Sequence, residues 1–308
     1  MIINTGQRTD IPAFYSDWFY NRIHEGYVYV RNPYFPKRVN KFILNPQIVD
    51  CLCFCTKNPA PMLKRLDEIK QYRQFWFVTI TPYDPDVERH VPLVKDVIKS
   101  FQQLSLKVGQ SCVGWRYDPV FINDKYTVEY HIKAFHYIAK HLSKYTSRCV
   151  ISFIDLYEKT KRNFPYCQEV PLSIQHQLMK AFSTIAKQYD IQLYACAESK
   201  EFEKYGVNCQ GCMSQNVIEK ALNIDLTLKK TNIRNECQCL LGNDIGTYNT
   251  CLHGCLYCYA NVDYKKVLDL YQKHDPHSPL LIGYLQEDDE LIQTHQFSSL
   301  NRQLSFHF

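Results

Sequence analysis

Short apolar runs rich in β-branched and aromatic residues alternate with helix-length amphipathic segments along most of the chain. That alternation constrains the fold more than any other feature of the sequence. Runs at Ile2–Asn4, Tyr27–Arg31, Cys51–Thr56, Phe75–Thr81, Cys112–Arg116, Cys149–Ile154 and Gln192–Ala197 have strand length. Between them, apolar residues recur near every 3.6 positions. Val94, Val97, Ile98 and Phe101 share one helical face, and Val128, Ile132, Phe135, Ala139 and Leu142 another. Ile174, Leu178, Phe182 and Ile185 mark a third. A parallel strand reaches its neighbour only through a crossover, so strand–helix repetition predicts a mainly parallel sheet with both faces covered. An open doubly wound sheet and a closed or nearly closed barrel both satisfy the pattern.

The residues just past the strands favour the barrel. Arg8 and Asp10 come after the first run, Lys57 and Asn58 after the third, Arg116 and Asp118 in "WRYDP", and Glu198 after "LYACA". Polar, ionisable side chains recurring at carboxyl ends of strands are what a barrel rim displays, because those loops converge on one mouth. The expected architecture is therefore α/β, a TIM-like barrel, partial or permuted, with a C-terminal cysteine-rich segment. Arg8, Asp10, Lys57, Asn58, Arg116, Asp118 and Glu198 are its candidate catalytic and substrate-binding residues.

The alternation stops near residue 199. Three units are expected: a barrel-like domain over 1–198, a cysteine-rich segment over 199–262 that packs on the mouth, and a helix with an irregular tail over 263–308. The chain holds 14 cysteines, of which eight fall between Cys196 and Cys258. No apolar run reaches the roughly 18 residues of a membrane helix, and the start lacks a secretory leader, so a soluble cytoplasmic protein is expected. In such a reducing compartment clustered cysteines point to metal or redox chemistry rather than disulfides. Cys51, Cys53, Cys55, Cys112, Cys149 and Cys167 sit mostly in apolar surroundings and read as small buried hydrophobes. The formal charge of +5 permits an anionic substrate or a nucleic acid and demands neither.

Three cysteines of the group, Cys251, Cys255 and Cys258, stand in "CLHGCLYC" with spacings of three and two residues. Thiolates suit zinc and iron–sulfur clusters. A structural zinc site wants four protein ligands. A cubane has four irons, so three thiolates can hold three and leave the fourth open to a cofactor or substrate. Five further cysteines precede them: Cys196, Cys209, Cys212, Cys237 and Cys239. Of these, Cys196, Cys212, Cys237 and Cys239 are the expected ligands of a second iron–sulfur cluster or a zinc ion.

"CLHGCLYC" resembles the Cx3Cx2C signature of radical S-adenosylmethionine (SAM) enzymes, including the aromatic Tyr257 before the last cysteine. The resemblance implies that Cys251, Cys255 and Cys258 bind a [4Fe-4S] cluster and that its open iron chelates SAM. Tyr257 would neighbour the adenine. It also implies an electron donor such as a flavodoxin or ferredoxin, and hydrogen abstraction from a substrate by the 5′-deoxyadenosyl radical. Across residues 1–262 the chain is similar to an uncharacterised bacterial family with this motif near its C-terminus. The likeness rests on "RTDIPAFY", "VRNP", "TKNP", "GWRYDP", "SFIDLYEK", "CAE" and "DIGTYNTCLHGCLYCYAN". Radical SAM enzymes carry the motif after their first barrel strand. Its position here implies either a permuted order, with the cysteine loop folding back over the mouth and "DIG" available as that strand's end, or a convergent resemblance.

Two other classes fit the cysteines: a zinc-stabilised module binding nucleic acid or protein, and an iron–sulfur protein that transfers electrons or senses oxygen without cleaving SAM. A DNA-lesion lyase would need a basic groove lined by stacking aromatics. The dense basic clusters are Lys229 with Lys230, and Lys159, Lys161 and Arg162. Nucleic acid is therefore not favoured as a partner.

Overall fold

A computed structural model describes residues 1–228, 239–240 and 242–301. The strands are β1 (Ile2–Asn4), β2 (Tyr27–Arg31), β3 (Arg38–Ile43), β4 (Cys51–Thr56), β5 (Gln74–Thr79), β6 (Val113–Val120), β7 (Arg148–Phe153), β8 (Gln192–Ala195) and β9 (Glu290–Gln293). The α-helices are α1 (Ile11–Phe14), α2 (Ser16–Glu25), α3 (Val94–Val108), α4 (Val128–Leu142), α5 (Glu158–Asn163), α6 (Leu172–Gln188), α7 (Gln215–Leu222) and α8 (Tyr264–Tyr271). A 3-10 helix over Ala60–Ile69 joins β4 to β5.

Six strands form one parallel sheet in the order β1-β4-β5-β6-β7-β8. The α/β fold and the parallel sheet are as expected, but β1 and β8 are its outer strands, and no closed barrel is detected among the described residues. One predicted strand belongs elsewhere. Tyr27–Arg31 pairs antiparallel with β3, and β3 pairs in parallel with β9, giving a separate three-stranded sheet. Its burial alternates, with Val28 and Val30 inside and Tyr27, Tyr29 and Arg31 half-buried, as in a sheet with one wet face. By contrast "CLCFCT" is buried at nearly every position, as a strand covered on both sides must be.

One face of the parallel sheet carries α1, α2, α3, α4 and α6, while α5 lies against the cysteine loop, its Thr160 hydroxyl donating to the Tyr257 carbonyl at 3.3 Å. Phe135 of α4 stacks between Trp115 of β6 and Phe182 of α6, with ring centroids 4.7 and 4.4 Å away. Phe54 and Trp76 stack at 3.9 Å on neighbouring strands. Truncating any of these buried rings to Ala would cost about 3–5 kcal/mol. Thr127 caps α4 by accepting from the Tyr130 N–H, so the helix starts where a hydroxyl satisfies an otherwise unpaired amide. The opposite face is smaller. Cys51, Cys53, Phe75, Phe77 and Val150 pack there against Val217, Ile218 and Ala221 of α7.

Two isolated contacts extend the sheet at its ends. Asn4 donates its N–H to the Asn243 carbonyl at 3.1 Å and accepts from the Ile245 N–H at 2.9 Å, a parallel pairing beyond β1. Asn208 pairs in parallel with Tyr194 beyond β8. The chain thus returns to the first strand immediately before the cysteine motif. No helix among the described residues is long and apolar enough to cross a membrane.

Candidate active site

The cysteine loop closes over the carboxyl ends of the parallel strands, held by contacts to the loops that continue from them. His253, inside the motif, sits with Nε2 2.8 Å from Oδ2 of Asp10, and that same oxygen accepts from the Lys57 N–H at 2.7 Å. Asp10 also caps α1, taking the Ala13 N–H on its other oxygen. One carboxylate therefore ties together the ends of β1 and β4 and the cysteine loop. On the far side, residues 87–90 run antiparallel to 253–256: His90 N donates to the His253 carbonyl at 2.9 Å and Leu256 N to the Val87 carbonyl at 3.0 Å.

A second carboxylate anchors this ladder. Glu88 is buried, and its Oε1 accepts from Lys57 Nζ at 2.8 Å, from the Thr81 hydroxyl at 2.6 Å and from the Tyr257 hydroxyl. Burial opposes the Lys57 charge, but Glu88 and Cys255 outweigh it and raise its pKa. The ammonium therefore persists at neutral pH. Tyr257 meets Tyr83 edge-on, with centroids 6.1 Å apart.

Beneath the loop lies a cavity of about 370 Å³. Cys251, Cys255, Cys258 and Tyr257 line it from the loop side, and Arg8, Asp10, Lys57, Arg116 and Asp118 from the strand ends. Cys196, Cys212 and Cys239 line it as well. Two rim candidates are not among its lining residues. Asn58 forms a turn, taking the Ala60 N–H on its side-chain oxygen, and starts the 3-10 helix. Glu198 accepts the Phe153 N–H at 2.7 Å, and burial pushes its carboxyl up to about 8.

Arg116 pairs with Asp118 two residues along β6, just before the cis Asp118–Pro119 bond and the irregular register at the end of that strand. Burial works against its charge, while Asp118 and the sulfurs of Cys212, Cys55 and Cys196 favour it, so it stays cationic. Its Nε is buried with no acceptor. Burial also raises the pKa of all three motif thiols, so each is neutral until a cation takes its proton's place. Among the described residues no three His, Cys, Asp or Glu side chains are preassembled as a cage for one metal ion. Three thiols on a cubane each meet a different iron, so they need not converge on a single point.

A family model described as a domain of unknown function (DUF1848) matches residues 2–260. The chain belongs to the DUF1848 family. No curated protein and no solved structure matches it. The DUF1848 match reaches past Cys258, so both cysteine groups and every rim residue named above fall inside it.

Several residues take part in this site beyond the candidates that the sequence singled out. Glu88 lies in a loop between Thr81 and α3, and only the fold brings it to Lys57. His253 stands inside the motif itself, where a titratable residue between two cysteines is a signal that the cysteine spacing overshadowed. Tyr248 has Arg8 5.6 Å and Lys159 5.3 Å from its ring centroid, so Lys159 is drawn toward the cavity's aromatic edge. Arg162 donates to the Val262 carbonyl and helps fix the segment after the motif. Cys237, Lys229 and Lys230 lie outside the described residues.

Proposed function

We propose that this DUF1848 chain is a radical SAM-type enzyme that binds a [4Fe-4S] cluster through Cys251, Cys255 and Cys258. The observation that carries the reading is the shared cavity: three motif sulfurs face, across about 370 Å³, the charged residues that end the parallel strands. The topology supports it too. With Asn243–Ile245 beside β1, the order becomes strand segment, cysteine loop, then α8, set at the edge of a parallel sheet. Radical SAM barrels have that arrangement at their first strand. Here the same unit comes last in the chain, which supports reading the fold as a permuted, open form of such a barrel.

Cys251, Cys255 and Cys258 would hold the cluster, and the chemistry it would supply is one-electron reductive cleavage of SAM to methionine and a hydrogen-abstracting 5′-deoxyadenosyl radical, the electron coming from a flavodoxin- or ferredoxin-like donor. The chain's own residues do the rest. Asp10 and Glu88 hold the cysteine loop in place through His253 and Tyr257. Arg8, Lys57 and Arg116 supply cations for carboxylates or phosphates of SAM and substrate, the guanidinium groups as planar two-donor forks and the ammonium as a point charge. The loop and the residues at the strand ends bound the cavity on two sides, and an apolar lining there strengthens these contacts.

Anaerobic purification with iron and sulfide analysis tests the reading, together with spin resonance of the reduced protein with and without SAM. The expected result is a cluster signal that shifts on adding SAM, and release of 5′-deoxyadenosine. Iron without a shift would instead indicate electron transfer or sensing, and zinc alone a binding module. Cys255→Ala should remove the signal.

A further inference from the structure

The second cysteine group occupies the same cavity and has a geometry of its own. Cys196 comes directly after β8, its N–H bonded to the Ile151 carbonyl on β7. Cys212 and Cys239 come from two short segments that run antiparallel, with Ser214 bridged to Cys239 and the Leu240 N–H bonded to the Met213 carbonyl at 2.9 Å. This scaffold sets Sγ of Cys212 3.5 Å from Sγ of Cys196 and 3.4 Å from Sγ of Cys239. The Met213 N–H donates to Cys239 Sγ at 3.2 Å. All three sulfurs line the cavity, and Arg116 lines it with them.

We propose that Cys196, Cys212 and Cys239 form a second metal site, one that takes a single soft divalent ion of the zinc class. Spacing is the decisive argument. Zinc–sulfur bonds of about 2.3 Å at tetrahedral angles put sulfurs about 3.8 Å apart, within a few tenths of an ångström of the two separations seen. Thiolates on different irons of a cubane must stand farther apart than this. The sulfurs now touch as thiols, Cys212 in contact with both neighbours, and not as a cage aimed at one point. Binding one ion would replace these two S–H···S contacts by metal–sulfur bonds and would turn the three side chains toward a common point. The ion displaces the three thiol protons to solvent, leaving a net charge of −1 on the bare metal–thiolate unit. Arg116 is the counter-cation already in place, and its unpartnered Nε–H is a donor available to a sulfur. The Met213 N–H is a further donor, of the kind that orients and tunes metal thiolates.

The site is independent of the cluster reading, so its test removes the other motif. A Cys251→Ala, Cys255→Ala, Cys258→Ala chain, purified anaerobically, should retain about one zinc per chain without iron or sulfide. Adding Cys212→Ser should lower zinc at least tenfold. Cobalt(II) exchanged into the triple variant should give thiolate charge-transfer absorption with the intensity of three or more sulfur ligands, a reading that does not require the serine variant to fold. Zinc absent from a folded triple variant, iron with sulfide in it, zinc that persists after Cys212→Ser, or a cobalt spectrum with two or fewer sulfurs would each overturn the proposal.

Discussion

His253 and Asp10, 243 residues apart in sequence, meet at 2.8 Å between Nε2 and Oδ2, and both are buried. The carboxylate also receives the Lys57 amide. In Asp10→Asn the NH2 group must face either the Ala13 N–H on one side or both of these donors on the other. Hydrogen bonds to a charged acceptor are worth about 1.5–3 kcal/mol, and the variant should lose stability of that order in a denaturant titration. Amides of residues 253–256 should exchange faster with solvent, because the tie between loop and sheet is cut.

Glu88→Gln keeps an acceptor for the Thr81 and Tyr257 hydroxyls but leaves the Lys57 ammonium without its counter-charge. Breaking one half of a buried pair costs about 3–5 kcal/mol. Adding Lys57→Met should recover at least half of the loss, since no charge then remains to be buried. Equilibrium unfolding of the two single variants and the double variant measures this directly, and additive losses would show that the two residues are not coupled.

Gly254 has φ of +66°, and a Cβ there would stand 3.2 Å from His90 Cδ2 and 3.3 Å from the Tyr264 ring. Left-handed backbone costs a residue with a side chain about 1–2 kcal/mol. Gly254→Ala should therefore be destabilised by roughly that amount, and Gly254→Asn by less, since Asn tolerates this region. Unfolding of both variants gives the ranking.

His131 governs the acid side of the stability curve. Its Nε2 donates to the Phe121 carbonyl at 2.9 Å, so its Nδ1 is the acceptor for the Tyr117 hydroxyl at 2.8 Å. Burial lowers its pKa from 6.5 to about 4. In the unfolded chain the ring takes a proton below about 6.5, while the folded ring refuses it until about 4. Its contribution is thus complete above the unfolded value and is lost as the pH falls toward 4, on the order of a few kcal/mol in all. His131→Gln should flatten the stability profile across that window, as read by denaturant melts at successive pH values.

Much of the parallel sheet is legible in the sequence because its strands are buried on both faces and read as unbroken apolar runs. Ile2–Asn4 and Cys51–Thr56 appear at their expected bounds. Tyr27–Arg31 does not belong to that sheet, and its alternating burial shows why: a strand with one wet face suits an antiparallel pair. β3 and β9 leave no comparable trace, because Arg38, Asn40 and Lys41 interrupt one and every residue of the other is exposed. The rim is legible as a set, since polarity recurs after successive strands, and five of its seven candidates reach the cavity. Asn58 and Glu198 do not, because a polar residue at a strand end can serve a turn or a neighbouring amide equally well. Glu88 shows the general limit: a contact between loops exists only after folding, and no local pattern announces it.

The pairing of Asn4 with Asn243 and Ile245 has a consequence for biosynthesis. During translation the early strands emerge long before the segment that must lie beside the first of them. The sheet can assemble while its sulfur-bearing cover is still on the ribosome, and only the late, long-range loop closures seal the chamber. The cavity under the cysteine loop therefore cannot be completed before synthesis is nearly finished, and a chain interrupted ahead of Asn243 would leave the strand ends beneath it uncovered.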